Sequence, residues 1–331
     1  MSHFTGRVCA QLRDAYMIQT PYGELMGAVD GKFRFNAQAR RDFPAVGDWV
    51  TCTRASSEET VIHAVLPRSS CIVRKSAGTT SQEQVIAANV DTVLIVVGLD
   101  QDFNVRRMER YVALVYSSGS NPVIVLNKAD CCDDVDAKLD SVARAAPGVD
   151  AHPISALTGS GIERLDAYLS QGQTIALLGS SGAGKSTLVN FLLGFARQET
   201  RAIRHDGRGT HTTTSRQLLS LPSGAALIDT PGMRELHLYD AAGALEEVFG
   251  DIESAAANCR FSNCAHNDEP GCGLAAAGID PARLEGYRKL QREQTYLEGK
   301  TDARVRAAEK ARWKKIHREA KAHMKTKHSG R

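Results

Sequence analysis

Ile175-Ala176-Leu177-Leu178-Gly179-Ser180-Ser181-Gly182-Ala183-Gly184-Lys185-Ser186-Thr187 runs from an apolar stretch straight into a glycine-rich turn. Gly179 to Ser186 satisfies G-x-x-x-x-G-K-[ST], the phosphate-binding loop pattern. Its context is the one the pattern needs, with a buried strand before it and a helix, Thr187–Leu193, after it. The glycines let backbone N–H groups turn inward on phosphate oxygens, and the helix N-terminus adds the positive end of its dipole. Gly179, Ser180, Ser181, Gly182, Ala183, Gly184 and Thr187 are therefore expected to cradle the phosphates. Lys185 is expected to reach the β and γ phosphates as a catalytic cation, and Ser186 to hold Mg²⁺.

Upstream, Val123-Ile124-Val125-Leu126 leads into Asn127-Lys128-Ala129-Asp130, the N-K-x-D pattern of guanine recognition. A carboxylate at Asp130 accepts hydrogen bonds from guanine N1–H and the 2-amino group. Adenine offers neither donor there and leaves the charge unpaired. Ser155-Ala156-Leu157, after the short strand Ala151–Ile154, has the form of the loop that backs the base. Downstream, Asp229-Thr230-Pro231-Gly232 follows Ala225–Ile228; Asp229 is placed to hold Mg²⁺ through water, and the Gly232 N–H to meet the γ phosphate. These parts stand in rotated order, because in an ordinary GTPase the phosphate loop comes first. A circular permutation keeps the site while changing the order, and it is tolerated where the original termini lie close together.

The flanks differ in texture. Residues 1–75 carry five short strand patterns between Gly, Pro and Asp breaks, at Arg7–Leu12, Ala15–Thr20, Glu24–Val29, Gly47–Thr53 and Thr60–Leu66. That spacing suits a small barrel of the OB type, which offers a groove for RNA. Residues 76–240 alternate buried apolar runs (Val90–Gly98, Pro122–Leu126, Gln173–Leu178, Gln217–Leu221, Ala225–Ile228) with helical stretches at Val105–Ser117 and Asp136–Ala145. The alternation indicates an α/β doubly wound sheet. Residues 241–331 hold Cys259, Cys264, His266 and Cys272 within 14 residues, then a long helical tail. Three thiolates and an imidazole suit one closed, structural Zn²⁺ site, with no open position for zinc-dependent chemistry on RNA.

The composition bounds the partners. Among 331 residues the net charge is +3, yet Pro281–Arg331 alone carries +10 and the rest −7. A basic helical tail can neutralise nucleic-acid phosphates; Arg304, Arg306, Lys310, Arg312, Lys314, Lys315, Arg318, Lys321, Lys325 and Lys327, with Trp313 among them, are candidate RNA contacts. No apolar run approaches the roughly 18 residues of a membrane span, and no secretory signal opens the chain. A cytoplasmic protein with no membrane partner is expected, and nothing in the sequence requires more than a monomer.

A barrel, then NKAD, SAL, GSSGAGKS, DTPG and finally CRFSNCAHNDEPGC resembles, in that order, the RsgA (YjeQ) family of circularly permuted bacterial GTPases over essentially the whole chain. The resemblance implies an N-terminal OB-fold, a central P-loop GTPase domain and a C-terminal zinc-binding helical domain. It implies a GTP hydrolase that cycles between GTP and GDP on the small ribosomal subunit and its rRNA late in maturation, with hydrolysis stimulated by the subunit and linked to release. A GTP-regulated RNA-binding module, in which hydrolysis is incidental, is the alternative. Gly207-Arg208-Gly209-Thr210-His211-Thr212-Thr213-Thr214 resembles the family's G-x-G-x-H-T-T segment. Thr212 or Thr213 is then expected on Mg²⁺, and His211 either to orient or deprotonate the attacking water or to stabilise the loop or touch RNA. Many GTPases place a water-orienting Gln just after the D-x-x-G glycine, and Met233 stands there instead.

Overall fold

A computed structural model describes residues 3–12, 15–75, 83–194, 216–229, 242–262, 264, 266 and 269–301. The chain divides into two compact units, Met1–Tyr239 and Asp240–Arg331.

The first unit opens with five strands: β1 (His3–Gln11), β2 (Tyr16–Thr20), β3 (Gly23–Val29), β4 (Trp49–Arg54) and β5 (Glu59–Val65). They run in the order β1-β2-β3-β5-β4, and β4 pairs back on β1 to close the barrel. β3 and β5 pair in parallel, and the chain between them runs through the short helix α1 (Gly31–Asn36), the turn after it and β4, which is antiparallel to β5. Asp30 caps that helix by accepting the Phe33 N–H at 2.6 Å. Val8, Tyr16, Ile18, Val29, Val50, Cys52 and Ile62 fill the interior, so alternation along each strand turns one face inward.

A hairpin absent from the sequence expectations, β6 (Cys71–Lys75) with β7 (Glu83–Ala88), leads out of the barrel. The open sheet then comprises β8 (Thr92–Gly98), β9 (Asn121–Asn127), β10 (Ala151–Pro153), β11 (Thr174–Leu178), β12 (Gln217–Ser220) and β13 (Ala226–Asp229). Its order is β10-β9-β8-β11-β13-β12, with β11, the phosphate-loop strand, between a strand that precedes it in the chain and one that follows it. β8, β9, β10, β11 and β13 are mutually parallel, and β8 and β11 are buried throughout. Helices α2 (Val105–Ser117), α3 (Val135–Ala145) and α4 (Lys185–Leu193) complete the α/β architecture.

One expectation is corrected. Gln217–Leu221 does not form a buried strand of the β8 kind: β12 is half-buried and antiparallel to β13. Its free edge meets the barrel instead, through the Ala10–Gln217 pairing with β1. Arg7 on β1 strengthens this junction by donating to Thr174 Oγ1 at 2.6 Å. Asn89, in the left-handed region at φ 54°, donates to the Gly47 carbonyl at 3.1 Å and accepts the Ser69 N–H at 2.9 Å.

In the second unit, α5 (Ala242–Ala256) is kinked at Phe249, and α6 (Gly273–Ala276) and α7 (Pro281–Thr301) follow. Buried Arg283 on α7 bonds Asp251 at 2.9 Å and the Val248 carbonyl at 2.8 Å, with its guanidinium over the Phe249 ring. Tyr287 donates to Glu253 at 2.9 Å, so polar contacts from Arg283 and Tyr287 fix the pairing of these helices.

Candidate functional site

In an open parallel sheet the strand C-termini share one edge, and ligands bind in the crevice there. The loops after β8, β9, β10, β11 and β13 all leave from that edge, which brings four motifs from residues 127 to 229 to one rim.

Asn127 joins three of them. Its side chain is buried; Nδ2 donates to the Ala183 carbonyl of the phosphate loop at 2.9 Å, and Oδ1 accepts the Ala156 N–H at 2.9 Å. One amide thus ties the base-recognition loop to the phosphate loop and to the Ser155–Leu157 loop. A Cβ on Gly184 would collide with Asn127 Nδ2, so this glycine is required by the clip as well as by its own φ of 95°. Gly179 is constrained in the same way, because a side chain there would strike the Val96 carbonyl on neighbouring β8.

Lys185 begins α4 and folds its ammonium back on the loop, 2.8 Å from the Gly179 carbonyl and 2.5 Å from that of Ser180. Ser186 and Thr187 are exposed in the first turn of α4. Asp229 ends β13, the strand paired to β11, so a hydroxyl and a carboxylate stand at the ends of elements flanking one loop. A hydroxyl and a carboxylate are hard oxygen donors of the kind Mg²⁺ takes.

Around the base position, Lys128 is left-handed at φ 64° and its ammonium pairs with Asp100 at 2.6 Å. Ala129 N–H donates to the Ile154 carbonyl at 3.0 Å, which binds this turn to the end of β10. Asp130 is exposed, and hydrogen bonds from Ser155 and then Cys131 hold its carboxyl below the usual range, so it stands ionised as an acceptor. Ser155 is buried, whereas the Leu157 side chain is 79% exposed and offers an apolar surface to the face of a base.

In the second unit, the ligand atoms of Cys259, Cys264, His266 and Cys272 all lie within 4.8 Å of one another. His266 Nδ1 is 3.5 Å from Cys259 Sγ and 3.7 Å from Cys272 Sγ. Ligands about 2.2 Å from a tetrahedral centre stand roughly 3.6 Å apart, so the donor set and spacing fit Zn²⁺. Cys272 is pulled down to about 7 by the Ala275 backbone and His266. Cys264, although drawn down by the His266 backbone, is pushed up to about 11 by burial and its neighbouring thiols. Four mutually crowded donors of this kind are what a cation relieves.

The family model described as RsgA GTPase matches residues 65–239. A relative from Lactiplantibacillus plantarum, a small ribosomal subunit biogenesis GTPase RsgA 2, is 46% identical over 88% of this chain and 83% of its own. The chain belongs to the RsgA GTPase family. Its GTP hydrolase class comes with that membership. The RsgA of Opitutus terrae is 44% identical over 96% of this chain and 90% of its own length. A second model, described as 50S ribosome-binding GTPase, matches residues 174–306, beginning at the phosphate-loop strand. YjeQ from Thermotoga maritima superposes with a TM-score of 0.63 at 28% identity, over 88% of this chain and 98% of its own. YloQ, described as a circularly permuted GTPase, gives a TM-score of 0.60 at 22% identity over 88% of this chain and 95% of its own, a likeness of fold. Among the described residues of this RsgA-family GTPase, no helix is long and apolar enough to cross a membrane.

His211, Thr212, Thr213, Gly232 and Met233 lie outside the described residues, as do the basic positions from Arg304 to Lys327. Sequence reading missed Asp100 and Asp102, in the turn after β8. Neither belongs to a spaced motif; the only signal was two acids at the C-terminal end of a buried parallel strand.

Proposed function

We propose that this chain binds the small ribosomal subunit late in its maturation and hydrolyses GTP there, with turnover stimulated by the subunit and coupled to release. The observation that carries the nucleotide part is the Asn127 clip, which gathers base recognition, base backing and phosphate binding into one site. The assignment to the small subunit rests on relatives named for its biogenesis.

In this reading Asp130 and Leu157 select and cover guanine, while the backbone of residues 179–184 and Lys185 neutralise the phosphates. Bound Mg²⁺ supplies charge stabilisation to the triphosphate, and Ser186, Asp229 and Thr212 or Thr213 would hold it. His211 positions the attacking water, a task that Met233 cannot perform by hydrogen bonding. One Zn²⁺ on Cys259, Cys264, His266 and Cys272 is structural. We further assign three functional regions: an RNA-binding barrel (1–75), the permuted GTPase (76–240) and a zinc-binding region with a basic tail that docks on rRNA (241–331). The protein acts as a cytoplasmic monomer.

GTP turnover by the purified chain, alone and with small or large ribosomal subunits, with ATP as control, tests the proposal. Slow GTP turnover accelerated by the small subunit alone is the expected result. Equal acceleration by the large subunit, or none by either, overturns the assigned role.

A further inference from the structure

We infer that Asp102, held by Arg107, is a positioning residue that latches the phosphate loop through Ser180; the inference rests on the GTP-binding reading above. Asp102 lies in the turn 98–104 between β8 and α2, with its side chain 17% exposed. Its Oδ2 accepts from Ser180 Oγ at 2.5 Å, across 78 residues of chain, and its Oδ1 accepts from Arg107 Nη2 at 2.6 Å. Arg107 also donates to the Asp102 carbonyl, and the Gly98 N–H approaches Oδ2 at 3.4 Å. Asn104 caps α2 on the Arg107 N–H at 2.9 Å, so the element that carries the guanidinium is itself fixed.

A carboxylate near a polyphosphate site is repulsive unless its charge is met. Here a guanidinium meets it on one oxygen and a hydroxyl occupies the other, so Asp102 acts by geometry. Ser180 is the second residue of the phosphate loop, and Lys185 rests on the carbonyls of Gly179 and Ser180. Pinning the Ser180 side chain outward fixes the peptide planes against which Lys185 lies. It also leaves the loop's interior to the backbone donors.

The turn has a second arm. Asp102 N–H donates to Asp100 Oδ1 at 3.0 Å, and Asp100 Oδ2 takes the Lys128 ammonium at 2.6 Å. The same seven residues therefore brace the phosphate loop and the base-recognition lysine together. This complements Asn127, which ties the two loops from inside the sheet. Preorganisation of this kind lowers the ordering cost of binding.

The test is a double-variant cycle on nucleotide binding and turnover in the full chain. Ser180→Ala and Asp102→Asn are each expected to weaken GTP and GDP binding about tenfold, the order expected for a hydrogen bond to a charged group. KM should rise more than kcat falls, and the double variant should be no worse than the weaker-binding single variant. Ser180→Thr, which keeps the hydroxyl, should restore binding. Unchanged affinity in Ser180→Ala, or effects that add in the double variant, overturns the latch. If Asp102→Asn fails to fold, Ser180→Ala against Ser180→Thr decides alone. Failure of the unaltered chain to bind GTP would instead sink the nucleotide reading.

Discussion

The nucleotide rim and the Cys/His cluster each gather several side chains at one place, yet they are organised in opposite ways. The rim collects residues from 98 to 229 on parallel strands, and its loops are tied by hydrogen bonds that span 56, 29 and 78 residues. The cluster draws its donors from residues 259–272, and its internal contacts are crowded thiols and an imidazole. The rim is preorganised by the sheet beneath it, whose core includes Leu94, Val96, Val125, Ile175, Leu177 and Leu227. A cation on Cys259, Cys264, His266 and Cys272 would supply at the cluster the organising energy that the sheet and its hydrogen bonds supply at the rim. Ligand dependence of structure should therefore differ between the two.

The largest expected effect breaks the cluster. Cys259→Ala, or a strong chelator, should remove one equivalent of zinc and unfold Asp240–Thr301, since structural zinc contributes on the order of 10 kcal/mol to small metal domains. Protease mapping and metal analysis would show this, while GDP affinity stays within about threefold. A large loss of GDP affinity would erase the contrast.

Next comes the rim. Asn127→Ala removes two buried hydrogen bonds at once and opens space beside Gly184. A loss of about 2–4 kcal/mol in nucleotide binding is expected, with a smaller drop in the melting temperature of the first unit. Calorimetry on the same sample reads both. If melting falls while binding holds, Asn127 is only a packing residue.

The smallest effect lies at the junction of barrel and sheet. Arg7→Ala loses the bond to Thr174 and the contact over Trp49. A destabilisation of about 1–2 kcal/mol, seen in denaturant midpoints, is expected with unchanged GDP affinity. A change in nucleotide affinity would show instead that the junction supports the site.

Most of the rim was legible because its chemistry is local. G-x-x-x-x-G-K-S, N-K-x-D and the Cys/His spacing are contiguous strings whose residues must be neighbours to work. The barrel was legible through its five strand patterns, and α2 has the bounds its periodicity suggested, Val105–Ser117. What escaped were relations between distant segments. Asp102 meets Ser180 only because β8 and β11 are adjacent in the sheet, a neighbourhood that no spacing encodes. The half-buried, antiparallel character of β12 follows from its place beside β1, and the β6–β7 hairpin falls between the barrel strands and the parallel sheet.

In the proposed function, motifs in rotated order close on a single guanine-selective site. Equilibrium binding of GDP against ADP to the unaltered chain, repeated with Asp130→Ala, tests it most directly. The expected result is GDP binding at least about 100-fold tighter than ADP, with the gap largely lost in the variant. Equal affinity for the two nucleotides, or a preference that survives Asp130→Ala, would contradict it.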